Sequence, residues 1–225
     1  MRVGGTFEYF DPNMGRSKDD KFPDVSDTFD ETTAPGLAGQ PAFVRVGGFA
    51  AVDYAQPFNA RRGGRYLVGV NRYIDTGSGA YTFSRLDFDL QQYVPAFNER
   101  RVFVFRTFGS FADPADDATV PFYLMLPLGG DHTLRGVRQF RFRDRSLLLL
   151  QAEYRFEILT ALDGAIFYDT GQVAPSRSAL SLRDFERDYG VGLRIGTNLG
   201  VFIRFDVAFG SSEGTKTWLR FSHVF

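Results

Sequence analysis

From Ser146 to Ile158 the chain alternates with a period of two. The odd positions read Leu147, Leu149, Gln151, Glu153, Arg155 and Glu157, while the even positions read Leu148, Leu150, Ala152, Tyr154, Phe156 and Ile158. Successive side chains on a strand point to opposite faces, so one face here is wholly apolar and the other is charged over most of its length. No helical period is kept, and the stretch is predicted to be a strand between two different environments.

The pattern recurs along the chain. Residues 43 to 55 set Arg45 and Asp53 against Val44, Val46, Ala50, Val52 and Tyr54; residues 82 to 94 set Arg85, Asp87, Asp89 and Gln91 against Leu86, Phe88 and Leu90. Further strands are predicted at 2 to 10, 65 to 74, 101 to 110, 188 to 198, 200 to 210 and 217 to 225, with another ending at Gly171. This makes about ten strands of roughly 9 to 13 residues, the length that crosses a bilayer at a tilt. The 25 Phe, 10 Tyr and 24 Gly suit many strands joined by tight turns.

A two-sheet sandwich would give the same alternation. Connection lengths separate the two readings. If the last strand ends on the periplasmic side, the connections at 11 to 42, 112 to 144 and 172 to 187 all fall on the outer side, whereas those at 56 to 64, 95 to 100, 160 to 161 and near Asn198 fall on the other and are shorter. Short periplasmic turns and long outer loops are the asymmetry of an outer-membrane barrel.

Composition removes other classes. A net charge of -1 and a pI near 6.1 give no electrostatic basis for nucleic-acid binding. The absence of Cys fits an oxidising compartment. The start, MRVGGTFEYFDPN, lacks the apolar core of a secretory signal. We therefore expect the C-terminal part of a longer protein. The acidic run from Asp11 to Gln40 is expected to be a solvated loop.

Three motifs follow one another in the middle of the chain: Leu134-Arg135-Gly136-Val137 in a Gly-rich stretch, the strand bearing Glu153, and a strand closing on Asp169-Thr170-Gly171. In this order they resemble the barrel domain of the outer-membrane protein assembly-factor superfamily, also called the bacterial surface antigen family, which includes translocation-and-assembly barrels and two-partner-secretion transporters. The resemblance implies an all-β fold, a transmembrane antiparallel β-barrel in which residues 1–225 supply about ten strands, the last ten of a sixteen-stranded barrel. It implies that the loop at 112 to 144 folds into the lumen, where Arg135 meets Glu153 and Asp169 and Gly136 lets the backbone pass close to the wall. Val137 departs from the family, which usually has an aromatic residue there. The family's terminal aromatic signal would be Phe225, on one face with Leu219, Phe221 and His223. The implied location is integral to a bacterial or organellar outer membrane. The implied partners are the lipid bilayer, unfolded outer-membrane or secreted polypeptides, and periplasmic domains or another barrel chain, with no cofactor, no metal and no catalysis.

Two other readings compete. A barrel hydrolase would use Asp131 and His132, but adjacent residues on an extended chain point apart, and His223 lies near the other end. A passive or gated pore needs only a charged lumen, for which Arg85, Asp87, Asp89, Arg155, Glu157, Arg194, Arg204, Asp206 and Arg220 would serve as lining. An open ten-stranded sheet would leave edge groups without partners in lipid, so the chain is expected to close, pair with another copy, or be a fragment.

Overall fold

The computed structural model describes residues 1–15, 21, 23–55, 60–196 and 202–221. The strands are β1 (Arg2–Phe10), β2 (Phe43–Asp53), β3 (Gly63–Asp75), β4 (Phe83–Ala96), β5 (Asn98–Pro114), β6 (Pro127–Leu128), β7 (Phe142–Arg143), β8 (Ser146–Leu159), β9 (Leu162–Ala174), β10 (Glu186–Gly196), β11 (Phe202–Phe209) and β12 (Lys216–Phe221). All but β6 and β7 form one ten-stranded sheet in which each strand pairs with its neighbours in chain order, antiparallel throughout. Among the described residues β1 and β12 are each paired on one side only. The positions of Phe225 and His223 lie outside the described residues.

The sheet is strongly curled. Arg61, just before β3, donates from Nη2 to both carboxylate oxygens of Asp163 on β9, at 2.7 and 2.8 Å. Strands β4, β5 and β8 lie between them in the sheet, a path of roughly 19 Å at the usual strand spacing. Only a curl brings the two together across the concave side.

The alternation sorts side chains between the two faces. On β8 the odd positions from Leu147 to Arg155 are buried, while the even ones lie toward the convex face. Phe103, Phe105, Ile166, Tyr189, Val191, Leu219 and Phe221 are exposed on that convex face. Large apolar side chains facing outward with arginines and carboxylates facing inward invert a water-soluble arrangement and match a lipid-facing barrel wall. Inside, Phe43, Tyr73, Phe83, Ala112 and Val120 form one apolar cluster, and Ala60, Tyr93, Val102 and Val104 form another.

Several boundaries differ from the sequence expectation. β5 runs for 17 residues because Phe111 to Pro114 continue to pair with β4, so the long connection spans 115 to 145 rather than 112 to 144. At the other end β4 and β5 meet across Phe97 alone, which turns with φ of 63°. The acidic connection holds a short helix, α1 (Val25–Thr28), where the Asp24 amide donates to the Asp27 carboxylate at 3.1 Å. Glu157, expected to line the lumen, is exposed near the end of β8, beyond the covered part of the concave face.

Candidate functional site: a buried ion cluster beneath the 115–145 loop

The loop enters the concave side through a turn at Gly129 and Gly130, whose φ angles of 116° and 106° favour glycine. Thr133 Oγ1 accepts the Gly129 amide at 2.9 Å, and the Gly130 amide donates to the Leu134 carbonyl at 3.0 Å. Leu134 and Val137 then pack with Leu128, Leu147 and Leu149 in an apolar cluster. With these two side chains committed to the β8 surface, Arg135 between them is aimed at the wall. The whole LRGV motif is buried, and Val137 fills part of the apolar contact.

Arg135 is fully buried and forks between two strands. Its Nε lies 2.6 Å and its Nη2 2.7 Å from the two oxygens of Asp169 on β9, while Nη1 lies 2.8 Å from Glu153 Oε2 on β8. Gln151, the register partner of Asp169, donates to Asp169 at 3.1 Å and to the Thr133 carbonyl at 2.8 Å, tying the loop backbone to the same carboxylate. Of the three charged residues singled out from the sequence, Arg135 thus stands within hydrogen-bonding distance of both Glu153 and Asp169.

The cluster is larger than the motifs suggested. Glu153 also accepts from Arg155 at 2.7 Å and from Arg194 on β10 at 2.7 Å. Arg194 reaches on to Asp206 on β11 at 2.7 Å, and Arg204 pairs with Asp206 as well. Residues expected only to line the lumen therefore form a continuous ion network across four strands. Each cation has a carboxylate and the geometry is bidentate at Arg135, the condition under which buried charges hold together rather than destabilise.

Phe167, two residues before Asp169, carries the Arg135 guanidinium 3.4 Å above its ring centroid. The ring has space because Gly190 lies beside it; a Cβ there would come within 2.3 Å of Phe167 Cζ. Gly136 is equally constrained, since a Cβ on it would stand 2.5 Å from the Cβ of Asp188. Asp188 is directly opposite Asp169 in the sheet and is buried. Sequence reasoning missed Phe167, Asp188 and the roles of Arg194 and Asp206. The alternation put all four on the concave face, but nothing local in the sequence marked them as members of one cluster around Arg135 and Glu153.

The other candidates are placed differently. His132 Nε2 lies 3.9 Å from Asp131 Oδ2, and that carboxylate is engaged by Arg220 at 2.9 Å. Arg106 pairs with Asp89 at 2.9 Å and donates to the His132 carbonyl at 2.9 Å. Phe221 is exposed on the convex face of β12. Beyond the sheet, the Arg138 amide donates to Glu213 at 2.9 Å and holds its carboxyl below the usual range, helped by Arg141 at 2.8 Å. Among the described residues no cluster of His, Cys, Asp and Glu is arranged to hold a metal ion.

The profile of the Omp85 superfamily domain matches residues 55–223, about three quarters of the sequence and all of the cluster. The chain belongs to the Omp85 superfamily. Its fold is similar to the crystal structure of BamA from Haemophilus ducreyi lacking POTRA domains 1-3, with a TM-score of 0.62 at 12% identity, over 80% of this chain and 41% of that one. The chain thus spans less than half the length of that protein. At that identity the likeness concerns the fold alone, an all-β antiparallel sheet like that of the BamA barrel. No curated protein matches it by sequence.

Proposed function

We propose that this Omp85 chain forms part of an outer-membrane barrel that inserts outer-membrane proteins or passes polypeptides across that membrane. Its long connections would face outward and its convex face the lipid. The observation that carries this reading is the loop folded inside the curl with Arg135 held by Glu153 and Asp169. A passive pore gives no reason to bury an arginine-bearing loop in its own bore. In this reading residues 1–225 are barrel, Arg135, Gly136, Glu153 and Asp169 form a lumenal loop lock, and the partners are unfolded polypeptide, the bilayer, and periplasmic domains or a further barrel segment that completes the wall.

The test is to introduce Arg135→Ala into the native host and to follow both folded outer-membrane proteins and secreted polypeptides, alongside conductance in planar bilayers. The proposal expects one of the two polypeptide readouts to fall. Unchanged polypeptide handling together with a rise in conductance would overturn it in favour of a gated pore.

A further inference from the structure

The 115–145 loop is fastened on two sides, and the second fastening is to the end of the sheet. The inward positions of β12 are Lys216, Trp218 and Arg220. Trp218 Nε1 donates to the backbone carbonyl of Arg135 at 2.6 Å. Arg220 Nε lies 2.9 Å from Asp131 Oδ2, and its Nη1 donates to the Asp131 carbonyl at 3.4 Å. The connection between β11 and β12 adds Ser211, whose hydroxyl donates to the Gly136 carbonyl, and Glu213, which accepts the Arg138 amide at 2.9 Å and pairs with Arg141 at 2.8 Å. The β11–β12 hairpin therefore grips the loop at residues 131, 135, 136, 138 and 141.

Residue 135 is pulled from both directions. Its guanidinium goes to β8 and β9, while its carbonyl goes to β12. Among the described residues β12 has a ladder neighbour on one side only, over six register pairs with β11. A strand with half the usual ladder draws a larger share of its order from other contacts, and here those contacts are with the loop.

We propose that Trp218 and Arg220 are positioning residues that latch the last strand to the loop, so that seating of Arg135 in its carboxylates and ordering of β12 are a single equilibrium. The Arg135 side chain makes none of the contacts to β12 described above, yet its removal loosens β12 through the carbonyl it no longer holds in place. By reciprocity, loosening β12 also releases the loop, by the same factor. This coupling does not depend on what the barrel transports, so it can fail while the assembly reading stands, and the reverse.

Trp218 is the sole tryptophan of the sequence, which makes the chain its own reporter. The experiment uses the chain in detergent micelles and reads tryptophan emission and acrylamide quenching. Arg135→Ala is expected to red-shift the emission and raise the quenching constant about threefold; Arg45→Ala, on β2, should change neither. In the reverse direction, Trp218→Phe keeps a ring but removes the donor, and is expected to speed tryptic cleavage after Arg138 and Arg141 about threefold, the scale of one lost hydrogen bond. This arm leaves the ion cluster intact, so it decides the matter even if Arg135→Ala does not fold. Unchanged cleavage in Trp218→Phe, or unchanged emission in a folded Arg135→Ala chain, would show that loop and strand move independently and overturn the latch.

Discussion

The two ends of the sheet use the same chemistry with opposite results. On the first wall, Arg45 of β2 meets Glu8 of β1 at 2.7 Å, with side chains 30% and 45% exposed. On the second wall, Arg135 meets Asp169 at 2.6 Å with both side chains fully buried. The contact lengths are nearly equal, so the lengths cannot distinguish the pairs. What differs is the cover: the loop lies over β8 to β11 and shuts out water, while the β1–β2 pair stays wet. An exposed pair contributes roughly 0 to 1 kcal/mol, but breaking a buried one leaves a charge that neither water nor a partner can satisfy. An ion pair therefore acquires structural weight from how completely its surroundings shut out water.

The largest effect expected from this contrast is that of Arg135→Ala. It should lower stability by about 3 to 5 kcal/mol, whereas Arg45→Ala should lower it by no more than about 1 kcal/mol. Unfolding of both variants in detergent, followed by circular dichroism, compares them directly, and equal losses would mean that the loop cover is not what matters. Next comes Gly136→Ala, which forces a methyl group to within 2.5 Å of Asp188 Cβ. Overpacking of this kind costs about 1 to 3 kcal/mol. Gly5→Ala on the first wall meets nothing closer than 3.8 Å and should be neutral within error of the same measurement.

Salt sharpens the comparison further. Raising ionic strength should erase what little Glu8→Gln costs, because the Arg45 pair is screened, while leaving the Arg135→Ala loss largely intact. Persistence of the Glu8 effect at high salt would contradict the assignment of the first wall as wet. The smallest effect concerns Glu213. Its carboxyl is held down by the Arg138 amide, so the stabilisation is complete above its ordinary value of 4.5 and is lost as the pH falls through the lower folded value. The Arg138 amide should exchange faster, after correction for intrinsic rate, on acidification through that window. Glu213→Gln should remove the pH dependence.

The strands were legible because period-two alternation is written into each segment by itself. β1 appears at the expected residues, Arg2–Phe10. β5 was underestimated because Phe111 to Pro114 carry no apolar and polar alternation of their own and stay in the sheet by pairing with β4. The same division applies at the site. Arg135, Glu153 and Asp169 could be named because motif order placed them, and their mutual distances are set by adjacent strands in simple register. Arg194 and Asp206 could be assigned a face but not a partner, since the meeting of Arg194 with Glu153, two strands away, depends on how tightly the sheet curls, which no single strand encodes. Trp218 was invisible for a similar reason: its target is a backbone carbonyl, and any residue at position 135 would offer one.

The Arg61–Asp163 pair has a mechanical meaning. A bent plate stays bent either because its margins are joined or because a cord spans the hollow, and the two arrangements fail differently. Here the cord runs from the approach to β3 to the start of β9, and it leaves β1, β2 and the β10–β12 margin outside the span. Parting of the margins therefore does not by itself relax the bend of the central strands. Bending is held in the middle of the plate by this cord, and over β8 to β11 by the ion network beneath the loop.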